Sequence, residues 1–277
     1  MISIDQIKHY YPAAMTENAV FQKHILKEYV QLLTLDYLST TEHIRKMTFI
    51  GGSNLRLAKG IDRFSEDLDF DCKNLTEEAF IRMSDDVLSF LQRSGFNVEA
   101  RQREKSRLKA FRRSLYFPEL LFNLGISGHR EARFLLKIES QDQQTPYEPV
   151  MEFIRGCGFF FPFPVPSEAV LCAMKIAAML TRGKGRDYYD VMFLLSRTEP
   201  DYQFLASRCD IRNLAELKAA VEKSLQAVDL RRKQKDFEHL LFHRDNSRRI
   251  LHFAEFIGSL AEPCLKKEQA EDNQPTA

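Results

Sequence analysis

The sequence predicts an α+β protein, a mixed β-sheet flanked by helices and followed by a helical C-terminal domain. Three observations carry this expectation. Short apolar runs at Met47–Ile50, Leu68–Cys72 and Ala132–Ser140 have strand character and alternate with helical periodicity. Past the proline-rich passage from Phe161 to Pro166 the pattern becomes helical throughout. Between the first two strands lie a Gly51-Gly52-Ser53 turn and a short helix, so the chain folds back on itself there.

Taken in order, Val20, Phe21, Ile25, Leu26, Tyr29, Val30, Leu33 and Tyr37 recur at helical spacing. They predict a helix from Thr16 to about Ser39, with Thr16 as N-cap. The strand Met47–Ile50 follows, then a short helix over Leu55–Lys59 and the strand Leu68–Cys72. Thr76 opens a helix that runs to Arg93 and stops at Ser94-Gly95. Phe96 to Phe111 and Ser114 to Leu124 read as extended, and Ala132–Ser140 as a further strand. Beyond the prolines, helices are expected at Glu168–Thr181, Tyr188–Leu195, Asn213–Asp229, Phe237–Phe242 and Arg248–Leu260. The expected division is a catalytic domain over residues 1–165, a helical domain over 166–265, and a tail over 266–277. That tail has almost nothing apolar to bury, so disorder is expected there.

Composition narrows the function. The 277 residues are 44% hydrophobic and 29% charged, the profile of a soluble globular protein. The formal charge of +1 means that affinity for nucleic acid must come from local patches. No apolar run reaches the length of a membrane span, because Lys175 interrupts the longest one. The N-terminal MISIDQIKHYY lacks the apolar stretch of a secretory signal. The 5 cysteines are scattered without a CxxC pair, which fits reduced thiols, and a cytoplasmic location is expected. The 7 histidines show no metal-ligand spacing, and neither a P-loop nor a dinucleotide fingerprint occurs.

The chemistry concentrates in FIGGSNLRLAKGIDRFSEDLDFD, Phe49 to Asp71. Residues two apart in a strand share a side, so Asp67 and Asp69 should face one cleft, with Asp71 following. Leu68 and Phe70 then pack inward. Two carboxylates side by side repel each other, and a fold that keeps them there does so for a cation, usually Mg²⁺. Gly51, Gly52 and Ser53 supply bare backbone N–H groups that let a phosphate approach. Together they predict chemistry on a nucleoside triphosphate.

This string resembles the signature of the polymerase-β-type nucleotidyltransferase superfamily, and more closely the AbiEii/AbiGii family of toxins from bacterial abortive-infection systems. Gly51, Gly52, Ser53, Leu55, Arg63, Ser65, Asp67, Leu68 and Asp69 match that family's turn and acid strand. Ile50 departs from it, standing where many members carry a lysine. A second match, K.AA...R...RD.YD, falls on Lys175, Ala177, Ala178, Arg182, Arg186, Asp187 and Asp190. The resemblance covers about Val20 to Phe70 and Glu168 to Leu195. It implies a nucleotidyltransferase toxin of a toxin–antitoxin pair, with RNA such as tRNA, or a protein side chain, as acceptor.

Residue by residue, a triphosphate is expected at Gly51, Gly52, Ser53, Arg63, Ser65, Lys175 and Arg186, and Mg²⁺ at Asp67, Asp69 and Glu139. Glu139 qualifies because an acid ending the apolar run RFLLKIE suits a cleft, and the related toxins carry a Lys-hydrophobic-Glu at a comparable place. Glu152 is the substitute. Lys175, alone in an apolar helix, either pairs with an acid such as Asp187 or awaits a phosphate, and the phosphate is the expectation. Asp187 is the remaining catalytic candidate, with Asp190 behind it; both also suit simple helix capping. Arg101, Arg103, Lys105, Arg107 and Lys109 alternate, which in a strand makes one basic face suited to an RNA backbone. Two rivals remain: an enzyme that labels protein, and a nucleotide-binding protein without turnover.

Overall fold

A computed structural model describes residues 3–101 and 110–261. The chain begins with two short helices, α1 (Ile4–Lys8) and α2 (Ala13–Thr16), and then the long helix α3 (Ala19–Ser39). Asn18, and not Thr16, caps α3 by accepting from the Val20 N–H at 3.0 Å. Phe21, Ile25, Leu26, Val30, Leu32, Leu35 and Leu38 are all buried, so α3 runs through the core rather than over it. Lys27, Glu28, Gln31 and Thr34 are buried on the same helix.

The sheet starts with β1 (Thr48–Ile50), passes through helix α4 (Gly51–Leu57), and returns as β2 (Asp67–Asp71). Gly51-Gly52-Ser53 is therefore the first turn of α4 itself, where a separate loop before Leu55 was expected. After α5 (Glu77–Arg93, capped by Thr76 as expected) come β3 (Glu99–Ala100), β4 (Phe111–Tyr116), α6 (Leu120–Asn123) and β5 (Leu135–Gln141). The extended reading of Ser114 to Leu124 thus stops at Tyr116: Glu119 takes a positive φ of 54° and starts α6.

The order across the sheet is β1-β2-β5-β4-β3, antiparallel throughout except for the central β2–β5 pair. A parallel pair needs a crossover connection, here supplied by everything from α5 to α6. The Arg101–Lys109 stripe falls on that crossover. Arg101 is exposed just past β3, and its guanidinium lies 4.1 Å from the Tyr116 ring centre; Arg103, Lys105, Arg107 and Lys109 lie outside the described residues.

The proline-rich passage is not a plain linker. It forms the second strand of a hairpin, β6 (Val150–Gly156) with β7 (Phe159–Val165). Phe161, Phe163 and Val165 alternate into the core, leaving Pro162 and Pro164 on the other face, as a two-stranded sheet allows. Helices α7 (Glu168–Arg182), α8 (Gly185–Leu195), α9 (Tyr202–Cys209), α10 (Leu214–Leu225), α11 (Leu230–Lys235) and α12 (Phe253–Ser259) complete the chain. Of these, α9 and α11 were not expected. The segment 266–277 lies outside the described residues.

Two hydrophobic cores result. The buried members of one run up to Val165 and those of the other from Val170 onward, except that Leu55 and Ile61 join the second; the partly buried Phe242 packs on the first and Tyr147 on the second. The loop leading into β2 is also tied to the helices by backbone: Phe64 N–H donates to Leu240 O at 2.8 Å, and Phe242 N–H to Asp62 O at 3.2 Å. Among the described residues, no helix is long and apolar enough to cross a membrane.

Candidate active site

Strand alternation places the acids as their spacing demands. Leu68 and Phe70 are buried, while Asp67 and Asp69 keep part of their surface on the opposite face. The parallel register sets Asp69 beside Glu139 and Asp67 beside Lys137. Burial raises the Asp69 carboxyl to about 6, and the like charges of Asp67 and Glu139 add to it. Asp67 is raised too, first by burial, with Lys137 and Lys27 opposing. Asp71 does not join them. It is buried, accepts from Tyr147 Oη and the Gln143 N–H, and serves to anchor the strand's end.

Gly51 lies against this pair. Its φ is +82°, and a Cβ there would land on the Asp69 carboxylate. At Gly52 a Cβ would meet Ser65 Oγ at 2.6 Å and Arg63 Nη2 at 3.1 Å. Ser53 is buried: its hydroxyl donates to the Asp67 carbonyl and accepts from Gln31 Nε2 at 3.3 Å. Gln31 also donates to the Ser65 carbonyl at 3.2 Å. Helix α3 thereby fixes both the glycine turn and the approach to β2.

Several expected roles require correction. Arg63 cannot greet a triphosphate, because it is fully buried beneath Gly52 and grips Asp190 with two bonds of 2.7 Å. Lys175 is likewise already paired, to Asp190 at 2.8 Å, so the acid beside it is Asp190 and not Asp187. Asp187 spends its oxygens on Arg182, at 2.7 and 2.9 Å, and on the Lys184 N–H at 3.0 Å; it holds the α7–α8 turn. Glu139 is held by Arg112 through bonds of 2.7 and 3.1 Å. Glu152 lies on the separate hairpin and pairs with Lys59 at 2.6 Å.

The buried Asp190 shows how strongly its partners act. Burial alone would raise its carboxyl, yet Arg63 and Lys175 hold it down at about 2. Arg186 is partly exposed, and its charge acts on both Glu66 and Asp69. Lys184 is exposed, and Asp67 is among the charges that act on it. The α7–α8 turn thus presents cations to the acid pair. Sequence reasoning missed Gln31 and Lys27, whose only signal was polarity at positions of α3 that the helical period assigns to the core.

An acid pair thus lies on one strand of a mixed sheet with a glycine turn pressed against it, the arrangement expected of a nucleotidyltransferase. The profile of one family matches residues 33–265, and its description is "Nucleotidyl transferase AbiEii toxin, Type IV TA system". The chain belongs to this family, whose members are toxins of toxin–antitoxin systems, and membership implies a cognate antitoxin and a nucleotide substrate. The match extends well beyond the two stretches that carried the resemblance. Among solved structures, the chain is similar to MenT4, a nucleotidyltransferase toxin from Mycobacterium tuberculosis H37Rv. That similarity has a TM-score of 0.58 at 18% identity, covering 94% of this chain and 91% of that one. JHP933 from Helicobacter pylori gives 0.50 at 19% identity over 84% of this chain and 91% of that one. A putative nucleotidyltransferase from H. pylori gives 0.50 at 20% identity, over 84% and 93%. At these identities the likeness concerns the fold. No match is found among curated proteins.

Two outcomes test this geometry. Asp190→Asn should destabilise the protein by about 3–5 kcal/mol in urea unfolding, because it strips the charge that Arg63 and Lys175 share while buried. The folded-state pKa of Asp190 is depressed, so its stabilisation is present above the unfolded value of about 3.9 and is lost as pH falls toward 2. Unfolding measured from pH 5 downward should therefore be flatter in the variant. Gly51→Ala should lower the melting temperature and shift Asp69 in any spectroscopic titration. An unchanged melt would mean that the turn has room to spare.

Proposed function

We propose that the chain transfers a nucleoside monophosphate from a nucleoside triphosphate to a hydroxyl of an RNA such as tRNA, with Mg²⁺ at Asp67 and Asp69. The observation that carries this is Asp67 and Asp69 on one side of β2 with the Gly51 turn against Asp69, two like charges kept together at a cost. Two carboxylates completed by substrate phosphate oxygens are an ordinary Mg²⁺ site. Among the described residues, no set of three acid, histidine or cysteine side chains is arranged to hold a metal. Glu139 is engaged by Arg112, which leaves the aspartates as the protein's share. Bound there, Mg²⁺ would offset phosphate charge and ease deprotonation of the attacking hydroxyl.

The chain's own residues do the rest. Gly51 and Gly52 let a phosphate come close to the acid strand, and no side chain caps the start of α4. Arg186 and Lys184 bring positive charge from the α7–α8 turn. Lys175 and Arg63 stand behind, where Asp190 fixes them. In the reaction a bond forms between the acceptor oxygen and the α-phosphorus, in line with the leaving group. The bond from that phosphorus to the oxygen bridging the β-phosphate breaks, pyrophosphate departs, and the acceptor's proton passes to water. The cations of the α7–α8 turn, with Lys23, Lys27 and Lys137, support a polyanionic acceptor. The free thiols of Cys72, Cys157, Cys172 and Cys209 support a reducing cytoplasm as the setting.

Incubation with each labelled nucleoside triphosphate, total tRNA and cell lysate tests the proposal. Label should appear in tRNA and require Mg²⁺; label in protein would assign a side-chain acceptor, and no label would leave a nucleotide-binding protein without turnover. Asp67→Asn and Asp69→Asn should each lose transfer by several orders of magnitude while remaining folded. Without ligand, Asp69→Asn should melt higher than wild type at neutral pH, because the raised carboxyl destabilises the ionised fold. That gain should shrink as pH falls through about 6 and vanish near the unfolded value.

A further inference from the structure

Of the cations near the acid pair, Lys27 is the buried one that no carboxylate holds closely. Helix α3 lies along the segment before β2: His24 stacks on Phe64 with ring centres 5.1 Å apart, and Gln31 binds the Ser65 carbonyl. Lys27 sits between these two contacts, and the charges acting on it include Glu66 and Asp67. Its side chain is 8% exposed, yet its acid neighbour, Glu66 Oε1, is 3.9 Å away. The Phe134 ring centre, 5.8 Å off, covers another side. The Glu66 contact is too long for a hydrogen bond, and among the described residues no hydrogen bond from the Lys27 ammonium replaces it. An ammonium carries three donors, and with 8% of the side chain exposed little water is left to satisfy them, which is costly. Glu66 is a poor replacement, being 42% exposed and hydrated. Arg63 and Lys175, by contrast, spend their donors on Asp190.

We infer that Lys27 is a phosphate-binding residue of this site, its ammonium donating to an anionic phosphate oxygen of the substrate alongside Asp67. The inference rests on the nucleotidyl-transfer reading. A phosphate fits better than a carboxylate or a neutral ligand for a reason of charge. Asp67, Asp69 and Glu139 repel any simple anion, whereas a polyphosphate arrives with its own divalent cation and still has oxygen charge to spare. Two substrates offer such an oxygen: the triphosphate of the nucleotide and the backbone of an RNA acceptor. In either case the lysine serves as a preformed donor, with little side-chain entropy left to lose.

The test compares wild type with Lys27→Met, which keeps length and removes charge, and Lys27→Arg, which keeps charge. Each is melted with and without MgCl₂ and ATP, GTP, CTP or UTP, and titrated calorimetrically with the same nucleotides. Each is also titrated with a single-stranded RNA oligonucleotide in the absence of nucleotide. The Met variant should fold, with an apo melting temperature no lower than wild type. Its nucleotide affinity should fall by about 10- to 100-fold, the loss of one charge-assisted bond, and Lys27→Arg should recover part of it. Loss confined to the RNA titration also upholds the inference and assigns the phosphate to the acceptor. Equal nucleotide stabilisation and equal RNA affinity in wild type and Lys27→Met overturn it. Should the Met variant not fold, Lys27→Gln is read in the same way. Wild type that binds neither nucleotide nor RNA removes the nucleotidyl-transfer reading itself, and this inference with it.

Discussion

Three carboxylates gathered by one parallel strand pairing form the constraint that the rest of the molecule answers. The β2–β5 register puts Asp69 next to Glu139, with Asp67 one step along the same face. Asp67 and Asp69 would ionise freely in water; desolvated beside each other and beside Glu139, both have raised carboxyls. The fold answers with cations from every direction. Lys27 comes from the long helix, Lys137 and Arg112 from the sheet, and Arg186 and Lys175 from the helical region. A chain with a formal charge of only +1 therefore contains a site of strongly separated charge, which bulk composition does not reveal.

The compensation has two layers. Next to the cleft, contacts are long or partly solvated, such as Lys137 to Asp67 at 3.9 Å and Lys27 to Glu66 at 3.9 Å. Deeper down, Arg63, Lys175 and Asp190 are closed off with contacts of 2.7 to 2.8 Å. A surface ion pair exchanges partners easily, and a buried one does not. The outer layer can thus respond to an arriving ligand while the inner layer keeps the glycine turn in place. Asp187 with Arg182 belongs to the inner kind by geometry, although Arg182 itself reaches solvent.

What the sequence could tell follows the same division. The acid strand, the Gly51-Gly52 turn and the helix carrying Lys175 were legible because their chemistry is encoded in adjacent residues, where spacing alone decides which side chains share a face. Arg63 and Lys175 were recognised as important but given a ligand instead of Asp190. Their partner lies far along the chain, and periodicity says nothing about which charges meet. Glu139 was placed on the correct strand, yet its clamp by Arg112 depends on β4 pairing with β5, a register visible only in three dimensions. The β6–β7 hairpin was missed because Pro162 and Pro164 read as breaks, when an outward-facing position on a two-stranded sheet tolerates them. Lys27 and Gln31 were hidden by their setting, polar residues on a helix whose apolar neighbours already explained it.

The distance in sequence between Arg63 and Asp190, 127 residues, has a consequence for the birth of the molecule. On the ribosome, the acid strand and its glycine turn emerge long before the carboxylate that neutralises the guanidinium beneath them. Until α8 has left the exit tunnel, burying Arg63 would strand a cation in the core, so the nascent chain gains nothing by closing over it. The site is completed only when most of the polypeptide has been made. The order of translation thus sets the order of assembly, because one carboxylate late in the chain serves two cations that precede it.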